Sequence, residues 1–154
     1  EVTTAAQRYD AATTAYERPD AAILQAAVAD YTPKKEIKQK VKKADAALTI
    51  ELVPTKDILA TLGKMKSHKQ TLVGFALETD NEFDNAKAKL EKKNLDFIVL
   101  NSLKDKNACF GYDTNKVTMR DSNGQAITTD LKSKGEIAEE IVSKLISVMQ
   151  EKEK

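Results

Sequence analysis

Tryptophan is absent, and the chain has one cysteine (Cys109), one histidine (His68) and three prolines in 154 residues. A lone cysteine forms no internal disulfide, and a lone histidine beside it leaves little for a transition-metal site. The five glycines stand apart at positions 63, 74, 111, 124 and 135, so no glycine-rich loop is present to cradle phosphate. No apolar run approaches the ~20 residues that cross a bilayer, which excludes a membrane-spanning helix from the expectations. The opening Glu1-Val2-Thr3-Thr4 carries neither the basic nor the apolar part of a secretion signal, so a cytoplasmic protein is expected. Net charge is only +1 although 32% of residues are charged. Global attraction to nucleic acid or to a membrane surface is thereby excluded, and any electrostatic function must come from local clusters. With 41% apolar residues the chain suits one domain with its own core.

The apolar pattern changes period along the chain. Residues 2–16 read as a helix, broken at Pro19-Asp20, and the small apolar run 21–29 reads as a strand covered on both faces. Residues 31–45 form a polar, lysine-rich excursion, and 48–53 alternate like a strand. A helix is expected after Thr55, with Thr55 as its N-cap and Asp57 in its first turn, ending near 63–66. Residues 71–77 and 97–101 read as buried strands around an amphipathic helix at 82–93. A hairpin at 116–120 and 126–129 turns on Ser122-Asn123-Gly124, and a last helix runs from 135 to 154. The expected fold is α/β, a Rossmann-like layered structure with a mostly parallel central sheet, a C-terminal β-hairpin and a closing helix. Such domains usually open with a glycine-rich strand–turn–helix. Its lack, with a start inside a helix, predicts that residues 1–154 are a single-domain fragment without its first βα units.

Four places could carry chemistry. Asp30 ends the run Ala26-Ala27-Val28-Ala29, where α/β sheets bind ligands, and could meet ribose hydroxyls or Mg²⁺; equally it could cap a turn. Lys34, Lys35, Lys38, Lys40, Lys42 and Lys43 fall within ten residues, offset by Glu36. They could meet a triphosphate as point charges or form a solvated loop. Lys89 and Lys93 share a helix face, where they could bind phosphate or complement the helix dipole. In Val73-Gly74-Phe75-Ala76-Leu77-Glu78-Thr79, Gly74 marks a close approach and Phe75 could lie beside a base; the alternative is plain packing. His68 and Cys109 have no partners in sequence for a triad or a metal cluster.

In this order the pieces resemble the bacterial phosphopantothenoylcysteine synthetase family, the C-terminal synthetase domain of bifunctional decarboxylase/synthetase flavoproteins. The resemblance rests on Ala26-Ala27-Val28-Ala29-Asp30-Tyr31 and Lys40-Val41-Lys42-Lys43. It continues through Leu48-Thr49-Ile50-Glu51-Leu52-Val53-Pro54-Thr55-Lys56-Asp57-Ile58-Leu59, Val73 to Thr79, Lys89 to Asp96, and Ile98-Val99-Leu100-Asn101. It departs at Leu77, usually Ala, and at Ser102, often Asp, and it lacks the family's Gly-Gly-Thr phosphate loop.

The resemblance implies a ligase of coenzyme A biosynthesis. The carboxylate of 4'-phosphopantothenate attacks CTP to give an acyl-cytidylate and pyrophosphate, and cysteine then displaces CMP. It implies nucleotide contacts from Ala26, Ala27, Val28, Asp30, Lys40, Thr55, Lys56, Asp57, Ile58, Phe75, Lys89 and Lys93, with Lys40 catalytic and Asp30 in a Mg²⁺ shell. FMN belongs only to a fused decarboxylase domain that this chain does not include. Family members are dimers, so a homodimer through the 31–46 arm is implied, with Lys40 acting in the neighbour's site. The alternatives are a non-catalytic nucleotide-binding module of this fold, an ATP-using relative, and a basic-loop nucleic-acid binder, which the lack of interleaved aromatics disfavours.

Overall fold

The computed structural model describes residues 1–37, 39–41, 47–78, 82–102, 108 and 111–153. Lys38, Lys42, Lys43, Thr79 and Cys109, named above, lie outside them. The elements follow as α1 (Ala5–Ala15), β1 (Ala21–Leu24), β2 (Tyr31–Pro33), β3 (Leu52–Pro54), α2 (Ile58–Met65), β4 (Thr71–Glu78), α3 (Glu82–Lys92), β5 (Phe97–Ser102), β6 (Thr114–Asn115), β7 (Val117–Asp121), β8 (Ala126–Thr128), β9 (Lys132–Ser133) and α4 (Lys134–Lys152). The central sheet has the order β1-β4-β5-β7-β8. β1, β4 and β5 are mutually parallel, β7 runs against β5, and β8 runs against β7. Four strands therefore point one way and β7 alone is reversed. This is the expected α/β layered fold with its hairpin and closing helix.

β4 and β5 sit in the middle because their side chains are apolar on both faces. Leu72, Ala76, Ile98 and Leu100 pack with Ile58, Leu62, Ala86, Leu90 and Leu95 beneath α1, α2 and α3. Val73, Phe97 and Val99 pack on the other face with Val117, Met119, Ile137, Ile141 and Val148, beneath α4. Such two-sided burial turns a continuous apolar run into a central strand, whereas β7, facing the core on one side only, alternates buried and half-buried residues. Capping boxes open the first and last helices: Thr4 with Gln7, and Ser133 with Glu136. In the hairpin turn the Asp121 carboxylate accepts from the amides of Asn123 and Gln125 at 3.1 and 3.0 Å, and Gly124 supplies the left-handed φ of 86°.

Three local expectations are corrected. The strand expected over 21–29 ends at Leu24, where pairing with β4 stops at Gly74, and residues 25–29 have no regular structure. Past that point Gln25, Ala26 and Ala27 are exposed, so no burial holds the backbone in the sheet. The strand expected at 48–53 is instead residues 52–54, paired with β2 in a two-stranded ribbon outside the central sheet. The N-cap of α2 is Asp57, which accepts from the Ala60 amide at 2.9 Å; the Thr55 hydroxyl is spent on the Ala29 carbonyl.

A buried ionic knot ties the ends of these elements. One Asp96 oxygen accepts from Lys66 Nζ at 2.9 Å and from the Leu72 amide at 2.7 Å, and the other meets Lys152 Nζ at 2.6 Å. Lys152 also donates to the Gln70 carbonyl, and the Gln70 side chain donates to the carbonyls of Tyr16 and Pro19. The end of α4, the loop before β4 and the end of α1 thus close on one carboxylate. Burial, and then the charge of Asp96, push the Tyr16 hydroxyl up to about 12. Removing one member of a buried pair strands the other charge. Asp96→Ala is expected to destabilise the fold by about 3–5 kcal/mol, read as a lower urea midpoint at unchanged slope.

Candidate functional site

The β2–β3 ribbon leaves the body at a point where three segments meet. Thr55 closes its root: its amide donates to the Asp30 carbonyl at 2.8 Å and its hydroxyl to the Ala29 carbonyl at 2.6 Å. Two residues on, Asp57 caps α2, and its second carboxylate oxygen lies 3.0 Å from Lys93 Nζ at the end of α3. Between them, Lys56 places its ammonium 4.4 Å from the centre of the Tyr9 ring on α1. Burial alone would raise the Asp57 carboxyl. The Ala60 amide, the bond and charge of Lys93, and the charge of Lys92 outweigh it, so Asp57 titrates below the usual carboxylate range.

These contacts gather Asp30, Thr55, Lys56, Asp57 and Lys93 around the base of the ribbon. Lys89 stands one turn before Lys93, whose amide donates to the Lys89 carbonyl at 3.0 Å. Ala26 and Ala27 are exposed and Val28 is half-buried in the irregular stretch leading to Asp30. Val28 packs against the core, and the small side chains of Ala26 and Ala27 leave little to cover the backbone beside it. Ile58 contributes only backbone here, since its side chain is buried in the core beneath α2.

Two residues are not brought to this place. Lys40 is exposed on the excursion beyond β2, and no described contact joins it to Asp57 or Lys93. Phe75 faces the α4 side of the sheet. There it lines a cleft of about 220 Å³ with Ile23, Gln25, Ile137, Ile141 and Val142, beside the carboxyl end of β1. Gly74 has the packing role: a Cβ there would lie 2.7 Å from Leu59 Cδ2 and 2.9 Å from Leu95 Cδ1. His68 is exposed in a turn. Among the described residues no group of three or more His, Cys, Asp or Glu side chains could hold a metal ion. Asp30, exposed at the root of the ribbon, is a carboxylate that could join a divalent cation held mainly by a bound substrate.

Sequence reasoning missed Tyr9, Gly63 and Asn94. Asn94 was legible in principle, because Asn directly after an amphipathic helix signals a left-handed cap. Its φ is 51°, the Leu95 amide reaches the Leu90 carbonyl at 3.0 Å, and its own amide reaches Glu91 at 3.2 Å. Gly63 carried no such signal, since only the crossing of two helices makes its missing side chain matter.

Comparison with known proteins agrees with this architecture. Residues 1–149 match the family model described as "DNA/pantothenate metabolism flavoprotein C-terminal domain". The chain is 48% identical over 149 residues to a protein of an unknown prokaryotic organism named cysteine/cysteine sulfinic acid decarboxylase, covering 97% of this chain and 42% of that one. It is 42% identical over 147 residues to the coenzyme A biosynthesis bifunctional protein CoaBC of Bacillus subtilis, covering 96% and 36%. The chain thus spans about two fifths of the length of these relatives. The crystal structure of the C-terminal domain of a CoaBC protein superposes with a TM-score of 0.78 at 39% identity, covering 97% of this chain and 67% of that one. The chain belongs to the family of DNA/pantothenate metabolism flavoprotein C-terminal domains.

Proposed function

We propose that this chain is the CTP-handling part of a phosphopantothenate–cysteine ligase in coenzyme A biosynthesis, working in the cytoplasm. Family membership and the CoaBC relatives support the reading. The observation that carries it is the meeting of Asp30, Thr55, Asp57 and Lys93, from three distant segments, at the base of the ribbon.

The chemistry asks for cations and placement more than for a nucleophile. A carboxylate oxygen of 4'-phosphopantothenate bonds to the α-phosphorus of CTP, and the bond to pyrophosphate breaks. The cysteine amine then bonds to the acyl carbon, loses a proton, and CMP leaves. Lys89 and Lys93 offset the triphosphate charge, with Lys93 exchanging Asp57 for phosphate. The backbone of Ala26, Ala27 and Val28, with the turn Thr55-Lys56-Asp57-Ile58, frames the nucleotide. Asp30 accepts from ribose hydroxyls or joins the shell of a Mg²⁺ ion, which when bound neutralises phosphate charge. Phe75 serves the base from the α4 side, so the nucleotide straddles the carboxyl end of β1. FMN has no role in this ligation.

The excursion suits a second copy of the chain. Ile37 and Leu48 are 65% and 69% exposed, and Tyr31, Val41, Ile50 and Leu52 are also largely open to solvent. So much apolar surface on a thin ribbon calls for a cover. A homodimer through the 31–46 arm, with the segment that returns to β3 beside it, would bury this surface and carry Lys40 into the neighbouring site.

Calorimetry should find CTP binding to the protein extended to its relatives' length, with ATP and GTP clearly weaker. Equal binding of ATP would remove the nucleotide assignment, and salt-governed binding of any polyanion would favour a nucleic-acid role instead. In the same protein Lys40→Gln is expected to lower ligation turnover about 10²-fold while CTP affinity changes little; unchanged turnover would displace Lys40 from the site. Leu48→Asp with Ile50→Asp should convert the dimer to monomer in analytical ultracentrifugation.

A further inference from the structure

Lys93 is held at both ends. Its ammonium meets Asp57 at 3.0 Å, and its side chain is only 22% exposed. Its backbone is clamped against α2: a Cβ at Gly63 would overlap the Lys93 carbonyl oxygen, and the Asn94 side-chain amide donates to the Gly63 carbonyl at 2.8 Å. Asn94 does this from the left-handed φ of 51° that ends α3. There the amides of Asn94 and Leu95 close a Schellman cap on Glu91 and Leu90, and Leu90 and Leu95 share the core beneath the helices. Glycine opens the space that the Lys93 carbonyl occupies, and the asparagine bond beside it fixes where α3 stops.

We infer that Gly63 and Asn94 are positioning residues for the Lys93 ammonium, locking the end of α3 against α2 so that Lys93 lies over the Asp57 cap ready for phosphate. The inference rests on the nucleotide reading for its function, but its structural half stands apart from any ligand. A lysine free to explore its rotamers loses side-chain entropy when it binds. A clamp on its backbone and a partner at its tip remove much of that loss before the ligand arrives. Without the Asn94 bond, α3 can end a fraction of a turn earlier or later, and the ammonium leaves Asp57.

Asn94→Gly keeps the left-handed backbone and deletes only the side-chain bond, and Asn94→Asp keeps size and backbone but cannot donate. Carboxyl-carbon NMR of Asp57 reads the clamp without ligand. Either variant should keep the wild-type amide spectrum of β4 and β5 while the Asp57 midpoint rises toward the ordinary value, as it does in Lys93→Ala. Adding Asn94→Gly to Lys93→Ala should move it no further, because both act through one contact. CTP affinity, by calorimetry, should fall about tenfold in Asn94→Gly, and the double variant should bind no more weakly than Lys93→Ala alone. An Asp57 midpoint unchanged in both Asn94 variants, or additive effects in the double variant, would overturn the inference. So would unfolding of both variants at neutral pH, which would make Asn94 a general folding residue. A wild-type protein that binds no CTP, with Asp57 responding as expected, would instead defeat the nucleotide reading and leave the clamp standing.

Discussion

Two-sided burial of β4 and β5 is the constraint from which the architecture follows. Leu72, Val73, Phe97, Ile98 and Val99 are each no more than 1% exposed. Strands apolar on both faces need a cover on each, so α1, α2 and α3 lie on one side and α4 on the other. The parallel direction of β1, β4 and β5 then places their carboxyl ends along one margin. There the irregular stretch 25–29 and the ribbon emerge.

Polar groups enter this frame where elements end, and the two ends do different work. At the amino ends of β4 and β5, Asp96 is nearly sealed from water and satisfies Lys66, Lys152 and a backbone amide, which makes it an anchor. At the ribbon root, Asp57 stays half open to solvent and holds Lys93 by a single contact. A carboxylate with several buried donors gives nothing up cheaply, whereas one with water nearby can exchange partners. The difference in burial separates a structural ion pair from one suited to a site.

Much of the fold was legible because apolar period and capping chemistry are local. The helices at 2–16, 82–93 and 135–154 and the strands at 71–77 and 97–101 follow from periodicity; the structure moves the helix ends by at most three residues and lengthens each strand by one. The short extent of β1 was not legible: Ala26 to Ala29 look apolar, yet nothing pairs with them past Gly74. The cap of α2 was misread because Thr55 and Asp57 are both good caps. The choice depended on Ala29, 26 residues away, taking the Thr55 hydroxyl.

The candidate site divides in the same way. Sequence by itself determined which residue types were available: Asp30, Thr55, Asp57, Lys89 and Lys93 in an order that resembles one family, with a lysine-rich excursion between apolar strands. Tertiary structure alone decided that Lys93 reaches Asp57, that Phe75 lies across the sheet from both, and that Gly63 lets α3 touch α2. The physical reason is range. Periodicity and capping act over a few residues along the chain. An ammonium 36 residues from its carboxylate is placed by how two helices pack, and no stretch of sequence contains that distance.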